Sequence, residues 1–218
     1  MKNKFLKAKH WQLFLALVGS ALIFQIILIR IIFANMAPIA TASSTPKMPD
    51  PRMIANIFSI FKLFPIILIV MMSILYGWQW SVATGLQNKL PEGITMKLKK
   101  FKIFFSFHVI YLLALSIVLP VFVEHMFTIA LHNQVPNIPM IALSFIFIIP
   151  LHLFAIFCIL YSMYFIAKTI KTVELQKEVT FSDFVGEFFM IWFFPIGIWF
   201  LQPRINRIVD NQNPPTIF

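Results

Sequence analysis

The sequence predicts an all-α integral membrane protein, a helical bundle with four transmembrane helices in one membrane domain over residues 1–218. Three observations predict this class: the composition, the length of the apolar runs and the placement of the positive charges. Hydrophobic residues make up 60% of the chain and charged residues 12%, against about 45–50% and about 25% in soluble proteins. A soluble fold of this size cannot bury so much apolar surface, so lipid must solvate much of the chain.

The four apolar runs cover residues 11–33, 60–80, 104–123 and 140–166. Each has at least the roughly 18 residues needed to cross a hydrocarbon core of about 30 Å at about 1.5 Å per residue. Lysines precede the first run, and the small residues Ala-Thr-Ala at 40–42 follow it, as in a cleaved secretory signal. The run is longer than the apolar stretch of about 7–15 residues in such a signal. We therefore expect an uncleaved first helix.

Positive charge alternates between the loops. The N-terminal tail holds four lysines, the second loop (residues 81–103) five and the fourth loop (residues 167–183) three, whereas the third loop holds none. Because lysine and arginine collect on the cytoplasmic side of a membrane, we expect a multi-pass protein with both termini in the cytoplasm. Tryptophan prefers the membrane interface, and we expect Trp11, Trp78 and Trp80 at the inner one.

The C-terminal aromatic segment, residues 184–201, is harder to place. Its most apolar part is only 13 residues long and contains Pro195 and Gly197, which favours a re-entrant or interfacial segment over a span. Extended back to residue 184, the run reaches 18 residues, and a fifth span is the alternative. Such a span would place Arg204 and Arg207 outside, against the charge rule.

Three stretches of the sequence carry a resemblance: KAKHWQLFL, LQNKLPEGITMKLKKFKIFF and FSDFVGEFFMIWFFPIGIWFLQPRIN. With these stretches, the chain resembles a group of small integral membrane proteins common in the Bacteroidota. No activity is assigned to that group, so the resemblance transfers no functional residues. What it implies is a location in a bacterial inner membrane.

Ionisable residues within spans are costly in lipid and are therefore the first candidates for a functional site. His108 lies about 9 Å, and His152 about 10 Å, from the inner ends of their helices, counted at about 1.5 Å per residue. Glu187 reaches the same depth if the C-terminal segment folds back. Together the three could relay protons or bind a divalent metal. The alternative is that each histidine is bonded to a neighbouring helix, and we expect no cofactor.

A second candidate lies near the outer surface, where Arg30 and Glu124 are predicted at similar depth. They could form an ion pair between the first and third helices and line an outer vestibule with His125 and His132. The alternative is that these side chains extend separately towards the headgroups.

Lysines also cluster before the third span. Lys97, Lys99, Lys100 and Lys102 predict contacts with anionic lipids, each worth about 1 kcal/mol near the membrane surface, although orientation alone also explains the run. The net charge of +10 therefore fits a membrane surface, and we expect no nucleic acid.

No catalytic motif is present: the sequence has no phosphate-binding glycine loop, nucleophile elbow or His-Glu-x-x-His. Glu174 and Glu178 are expected on a solvated helix. With 26 phenylalanines and only six glycines, close small-residue helix contacts are scarce, and the bundle should offer a large apolar surface. We therefore expect a non-enzymatic accessory or scaffold subunit. Its partners are lipid and another membrane protein or further copies of itself. A small transporter or channel is the alternative, with an enzyme third.

Overall fold

The computed structural model describes residues 2–41, 64–132 and 134–210, and the regular structure in those residues is helical throughout. A short helix comes first, then a long helix that contains a π-helical turn, then three more long helices and two short ones. In chain order they are α1 (Lys2–Lys7), α2 (His10–Phe14), the π-helical turn (Leu15–Gly19), α3 (Ser20–Thr41), α4 (Phe64–Gly85), α5 (Leu98–Leu131), α6 (Ile138–Leu175), α7 (Phe181–Trp192) and α8 (Phe194–Val209).

Four helical stretches are long and apolar enough to cross a membrane, which confirms the predicted four-helix membrane bundle. They are His10–Ala34, Pro65–Lys89, Leu98–Ala130 and Ile141–Leu175. The helices extend beyond the apolar runs because the lysines, leucines and alanines that flank those runs favour helix themselves. Residues 60–63, where the sequence predicts the start of the second span, lie outside the described residues.

The aromatic C-terminal segment forms two short helices instead of one rod. Thr180 caps the start of α7, and its backbone N–H donates to Oδ2 of Asp183 over 2.7 Å. The chain breaks at Phe193, because Pro195 lacks a backbone N–H but fits the first turn of a new helix. With 12 and 16 residues, neither helix reaches the roughly 18 residues of a span. The fifth span considered as an alternative is therefore not formed.

α7 and α8 fold back on each other as a hairpin, and their backbones come very close together. A Cβ atom at Gly197 would overlap the carbonyl group of Met190, so only glycine allows this approach. The hairpin buries Phe184 and Ile191 from α7 and Ile198 from α8. These apolar contacts attach it to the rest of the bundle.

The N-terminal helix belongs to the same packed unit. The ring of Phe5 lies against Gly77, and Leu6 lies against Gly85, so two glycines of α4 make room for α1. Leu13 of α2 is also buried. Side chains of α1 and α2 therefore pack into the core.

The two ends of the bundle are packed differently. One end contains the lysine-rich loop, and we call it the basic half: α1, α2 and residues 71–109 and 161–209. We call the other end the opposite half: residues 22–34, 64–70, 117–130 and 141–154. Apart from Leu17, the buried hydrophobic cluster lies in the basic half. The cluster includes Trp78, which is fully buried and therefore does not face lipid; its position at the depth of the inner interface stays a prediction. In the opposite half, every residue from 142 to 154 of α6 is exposed.

Candidate functional site

Polar side chains connect α4, α5 and α6 within the bundle. The Tyr76 hydroxyl lies 2.8 Å from Nε2 of His108, and Nδ1 of His108 lies 3.1 Å from the carbonyl oxygen of Ala155. A carbonyl oxygen can only accept, so Nδ1 carries the hydrogen and donates it. In the neutral imidazole, Nε2 then accepts from the Tyr76 hydroxyl. Both nitrogens of the buried His108 ring are thereby paired.

A second tyrosine–histidine contact lies one turn away and joins α5 to α6. The Tyr111 hydroxyl lies 2.8 Å from Nδ1 of His152. Tyr111 follows His108 by three residues on α5, and His152 precedes Ala155 by three on α6, as antiparallel helices in register require. Three residues correspond to about 5 Å along a helix. We call these two contacts the histidine seam.

A cluster of four charged residues joins α6 to the C-terminal hairpin. Arg204 of α8 donates from Nε to Oε1 of Glu174 over 2.8 Å, and its terminal nitrogen contacts both Glu174 and Oε1 of Glu187, the latter at 2.6 Å. Nζ of Lys171 lies 3.3 Å from Oε1 of Glu187 and 3.5 Å from Oε2 of Glu174. Two positive and two negative charges therefore balance, and we call this group the ion cluster.

The charges in the ion cluster hold Glu187 ionised. Burial by itself raises the pKa of this carboxyl, but the hydrogen bond from Arg204 and the charges of Arg204 and Lys171 outweigh burial, and the pKa lies below its ordinary value. For Arg204, burial lowers the pKa, while the bonds to Glu174 and Glu187 raise it above its ordinary value. Both shifts favour the charged pair, so α7 and α8 remain linked at neutral pH.

Gln202 is a second link between distant parts of the chain. Its side-chain oxygen accepts from Nε1 of Trp78 over 2.7 Å, and its amide nitrogen lies 2.8 Å from the carbonyl oxygen of Ala8 and 3.1 Å from that of Phe5. The last carbonyls of a helix have no partner within it. The fully buried Gln202 supplies that partner at the end of α1 and ties α1, α4 and α8 together.

The three residues of the predicted intramembrane site occupy two places. His108 and His152 lie in the histidine seam, each bonded to a tyrosine, whereas Glu187 lies in the ion cluster. The predicted His/His/Glu set does not come together. The two histidines lie where α5 contacts residues 152–155 of α6, whereas Glu187 lies beside Lys171, about 28 Å along α6 from His152. Within residues 2–41, 64–132 and 134–210, no three His, Cys, Asp or Glu side chains are grouped to hold a metal ion.

The predicted outer pair is not brought together. Arg30 and Glu124 are both exposed, and no ion pair between them occurs among the residues that the structure describes. The physical reason is that α3 packs mainly against α4, which leaves Arg30 apart from Glu124 near the end of α5. His125 and His132 are exposed near Glu124 in sequence.

The lysines predicted to meet anionic lipid lie together at the start of α5. All four are exposed: Lys97, Lys99, Lys100 and Lys102. The lipid contacts themselves stay a prediction.

Sequence reasoning missed the partners of the predicted residues. Glu174 is expected on a solvated helix, yet it pairs with Arg204. A signal was present, since Glu187 and Arg204 flank the aromatic segment and charges beside an apolar segment need partners. Tyr76 and Tyr111 carried no such signal, because tyrosines are common in apolar helices.

The ion cluster and Gln202 link helices of the basic half to one another, and the histidine seam links α4, α5 and α6. No known protein family, curated protein or solved structure matches this chain.

Proposed function

We propose that this chain is a non-enzymatic accessory or scaffold subunit of a bacterial inner membrane, acting through helix contacts and lipid association. One observation carries the proposal: the basic half is packed by the chain's own residues, whereas the apolar side chains of the opposite half are mostly exposed. In α6, residues 142–154 are exposed around the whole helix. The exposed apolar helices of the opposite half, held in place by the packed basic half, can pack against helices of another membrane protein.

The bacterial inner membrane and the cytoplasmic position of both termini are part of this proposal. The resemblance to membrane proteins of the Bacteroidota supports the location, and the charge distribution supports the orientation. In this orientation the exposed Lys97, Lys99, Lys100 and Lys102 meet the anionic cytoplasmic leaflet. The basic half then lies on the cytoplasmic side, and the opposite half crosses the outer leaflet.

Site-specific photocrosslinking in living cells tests the proposal within a single helix. Benzoylphenylalanine replaces Phe147, which is 71% exposed in the opposite half, or Phe165, which is 4% exposed in the basic half. We expect the probe at position 147 to capture one discrete polypeptide and the probe at position 165 to give only links within the chain. Equal capture at both positions, or lipid adducts alone at position 147, would contradict the proposal.

Native mass spectrometry of the gently extracted protein gives the stoichiometry. A reproducible second polypeptide at a fixed ratio supports an accessory subunit. A monomer or homo-oligomer that carries a small molecule or an ion would contradict it and would favour transport.

A small transporter or channel is the second candidate, and one observation favours it. The side-chain amide of Gln79 is fully buried, and neither its oxygen nor its nitrogen has a hydrogen-bond partner in the described part of the chain. Buried polar groups are normally paired with protein, water or an ion, and in a membrane such groups mark pathways. Proton flux into liposomes under a potassium diffusion potential tests this. Gln79→Leu should abolish a transporter's flux, and an inactive wild-type protein would exclude proton transport.

A further inference from the structure

One exposed face of α6 carries a single polar side chain. Phe145, Ile149, His152 and Ile156 are all exposed and follow one another at intervals of four, three and four residues. This is the spacing of the contact positions in a left-handed helix pair. We call these four residues the α6 stripe.

His152 lies deep in the membrane. Its partner Tyr111 is nine residues from Lys102 and thirteen from Glu124, or about 14 Å and about 20 Å along α5. Those charged residues bracket the hydrocarbon core, so the imidazole lies within it. Tyr111 pairs with Nδ1, and Nε2 has no recorded partner in the residues that the structure describes. A polar group in hydrocarbon is costly until it finds a partner, and a neighbouring helix is the usual one.

The geometry points to a second copy of this chain as the occupant of the α6 stripe, with the two α6 helices packed about a twofold axis along the membrane normal. Two copies inserted in the same orientation bring His152 to the same depth in each. A twofold axis then makes the two imidazoles face each other. A single polar residue in an apolar seam is also the device that sets register and strand number in helix pairs.

Tyr111 allows one imidazole of the pair to be the hydrogen-bond donor and the other to be the acceptor. A tyrosine hydroxyl can donate or accept, so the bond to Nδ1 is kept in either tautomer of His152. In one copy Tyr111 donates to Nδ1 and Nε2 carries the hydrogen; in the other Nδ1 donates to Tyr111 and Nε2 accepts. One N–H···N bond then closes the pair without a charge in the membrane.

This inference goes beyond the proposed function, because self-association needs no second polypeptide. Purified protein in defined bilayers tests it, and photocrosslinking in cells tests the subunit role. A negative result in one experiment therefore does not contradict the proposal that the other experiment tests.

Disulfide trapping locates the interface. Ile149→Cys places a thiol in the α6 stripe, and Phe147→Cys is the control, because it lies about 200° around the same helix and is 71% exposed. The native Cys158 is buried and stays in both variants. On oxidation of full-length protein in liposomes, we expect at least about tenfold more disulfide dimer from position 149 than from position 147. Equal trapping would overturn the proposal.

The hydrogen bond is tested by measuring dimerisation in liposomes through energy transfer between labelled copies. Interhelical polar contacts in membranes are typically worth about 3- to 30-fold in association. We expect His152→Leu to weaken dimerisation by about that factor, while His152→Asn, which keeps a donor and an acceptor, stays near wild type. Unchanged association of the leucine variant would overturn the proposal. So would a wild-type monomer at every protein-to-lipid ratio, or trapping of Ile149→Cys only to a different polypeptide in native membranes.

Discussion

The basic and opposite halves of the bundle are built from the same kinds of apolar residue, yet the first is closely packed and the second is mostly exposed. Within α6, Phe165 is 4% exposed and stacks on Phe101 with ring centroids 4.8 Å apart, whereas Phe147 is 71% exposed. In water both would be driven inward, but lipid tails are as apolar as the side chains. Apolar character therefore does not distinguish the two halves.

What distinguishes them is polar contact and close backbone approach. The basic half contains the ion cluster, Gln202 and the glycines that admit α1 and the hairpin. In a membrane these are the features that favour one helix arrangement over separate helices in lipid. The comparison predicts that substitutions in the basic half destabilise the isolated protein, while those in the opposite half leave it unchanged.

The largest effect is expected at the close contact of the hairpin. Gly197→Ala should destabilise the protein by about 3 kcal/mol, because the new methyl group must displace the backbone of Met190. Unfolding in mixed micelles, followed by circular dichroism, measures it. Gly186→Ala is the control, since a Cβ there meets no atom within 4 Å, and alanine should stabilise α7 by about 0.5–1 kcal/mol. A similar loss in both variants would contradict the hairpin contact.

The next effect compares two phenylalanines of one helix. Phe165→Ala should cost about 2 kcal/mol, mostly from the cavity it leaves, since transfer of the ring to lipid contributes little. Phe147→Ala should change the stability of the isolated protein by less than about 0.5 kcal/mol. The same unfolding measurement compares them. If the exposed position matters as much as the buried one, the two halves are not packed differently.

The ion cluster should contribute somewhat less to the free energy of unfolding than these packing contacts do. Arg204→Gln leaves Glu187, whose side chain is 6% exposed, with Lys171 as its remaining partner. We expect a loss of about 1.5 kcal/mol, below the value for a fully buried pair because solvent reaches part of the cluster. Arg207→Gln, an exposed position in the same helix, is the control and should be neutral. The melting temperature at pH 7 measures both.

The smallest effect concerns pH. The pKa of Glu187 lies below its ordinary value of 4.5 in the folded protein, so the folded state favours the carboxylate. Its contribution to stability is complete above about pH 4.5 and is lost as the pH falls through the lowered pKa. Melting temperatures between pH 7 and pH 3 should fall more steeply for wild type than for Glu187→Gln. Glu178→Gln, at an exposed position, should follow the wild-type curve.

The four membrane helices were predictable because lipid enforces a simple rule: every spanning segment must be long, apolar and internally hydrogen-bonded. The rule acts on each segment alone, so one sequence is enough to apply it. The break in the C-terminal segment was also predictable, since a proline within a short aromatic run, here Pro195, interrupts a helix. Both conclusions follow from local properties of the chain.

The pairing of polar residues was not predictable in this way. Glu187 was expected at the depth of the histidines if the C-terminal segment folded back, but α7 places it beside Lys171, about 28 Å along α6 from His152. Glu187 and Arg204 flank the aromatic segment in the sequence, but only the hairpin between them brings the two charges into contact. No feature of the sequence predicted the contacts of Gln202, because its partners Phe5 and Ala8 lie near the other end of the chain.

Those contacts also set an order of events during synthesis. Asn206 donates to the carbonyl oxygen of Ala8 across 198 residues of chain. At about 5–20 residues per second, the ribosome makes the second residue roughly 10 to 40 s after the first. Throughout that interval the carbonyl oxygen of Ala8 lacks both Gln202 and Asn206 as partners, and helices α1 to α6 are synthesised before α8 exists. The basic half is therefore the last part of the molecule to close.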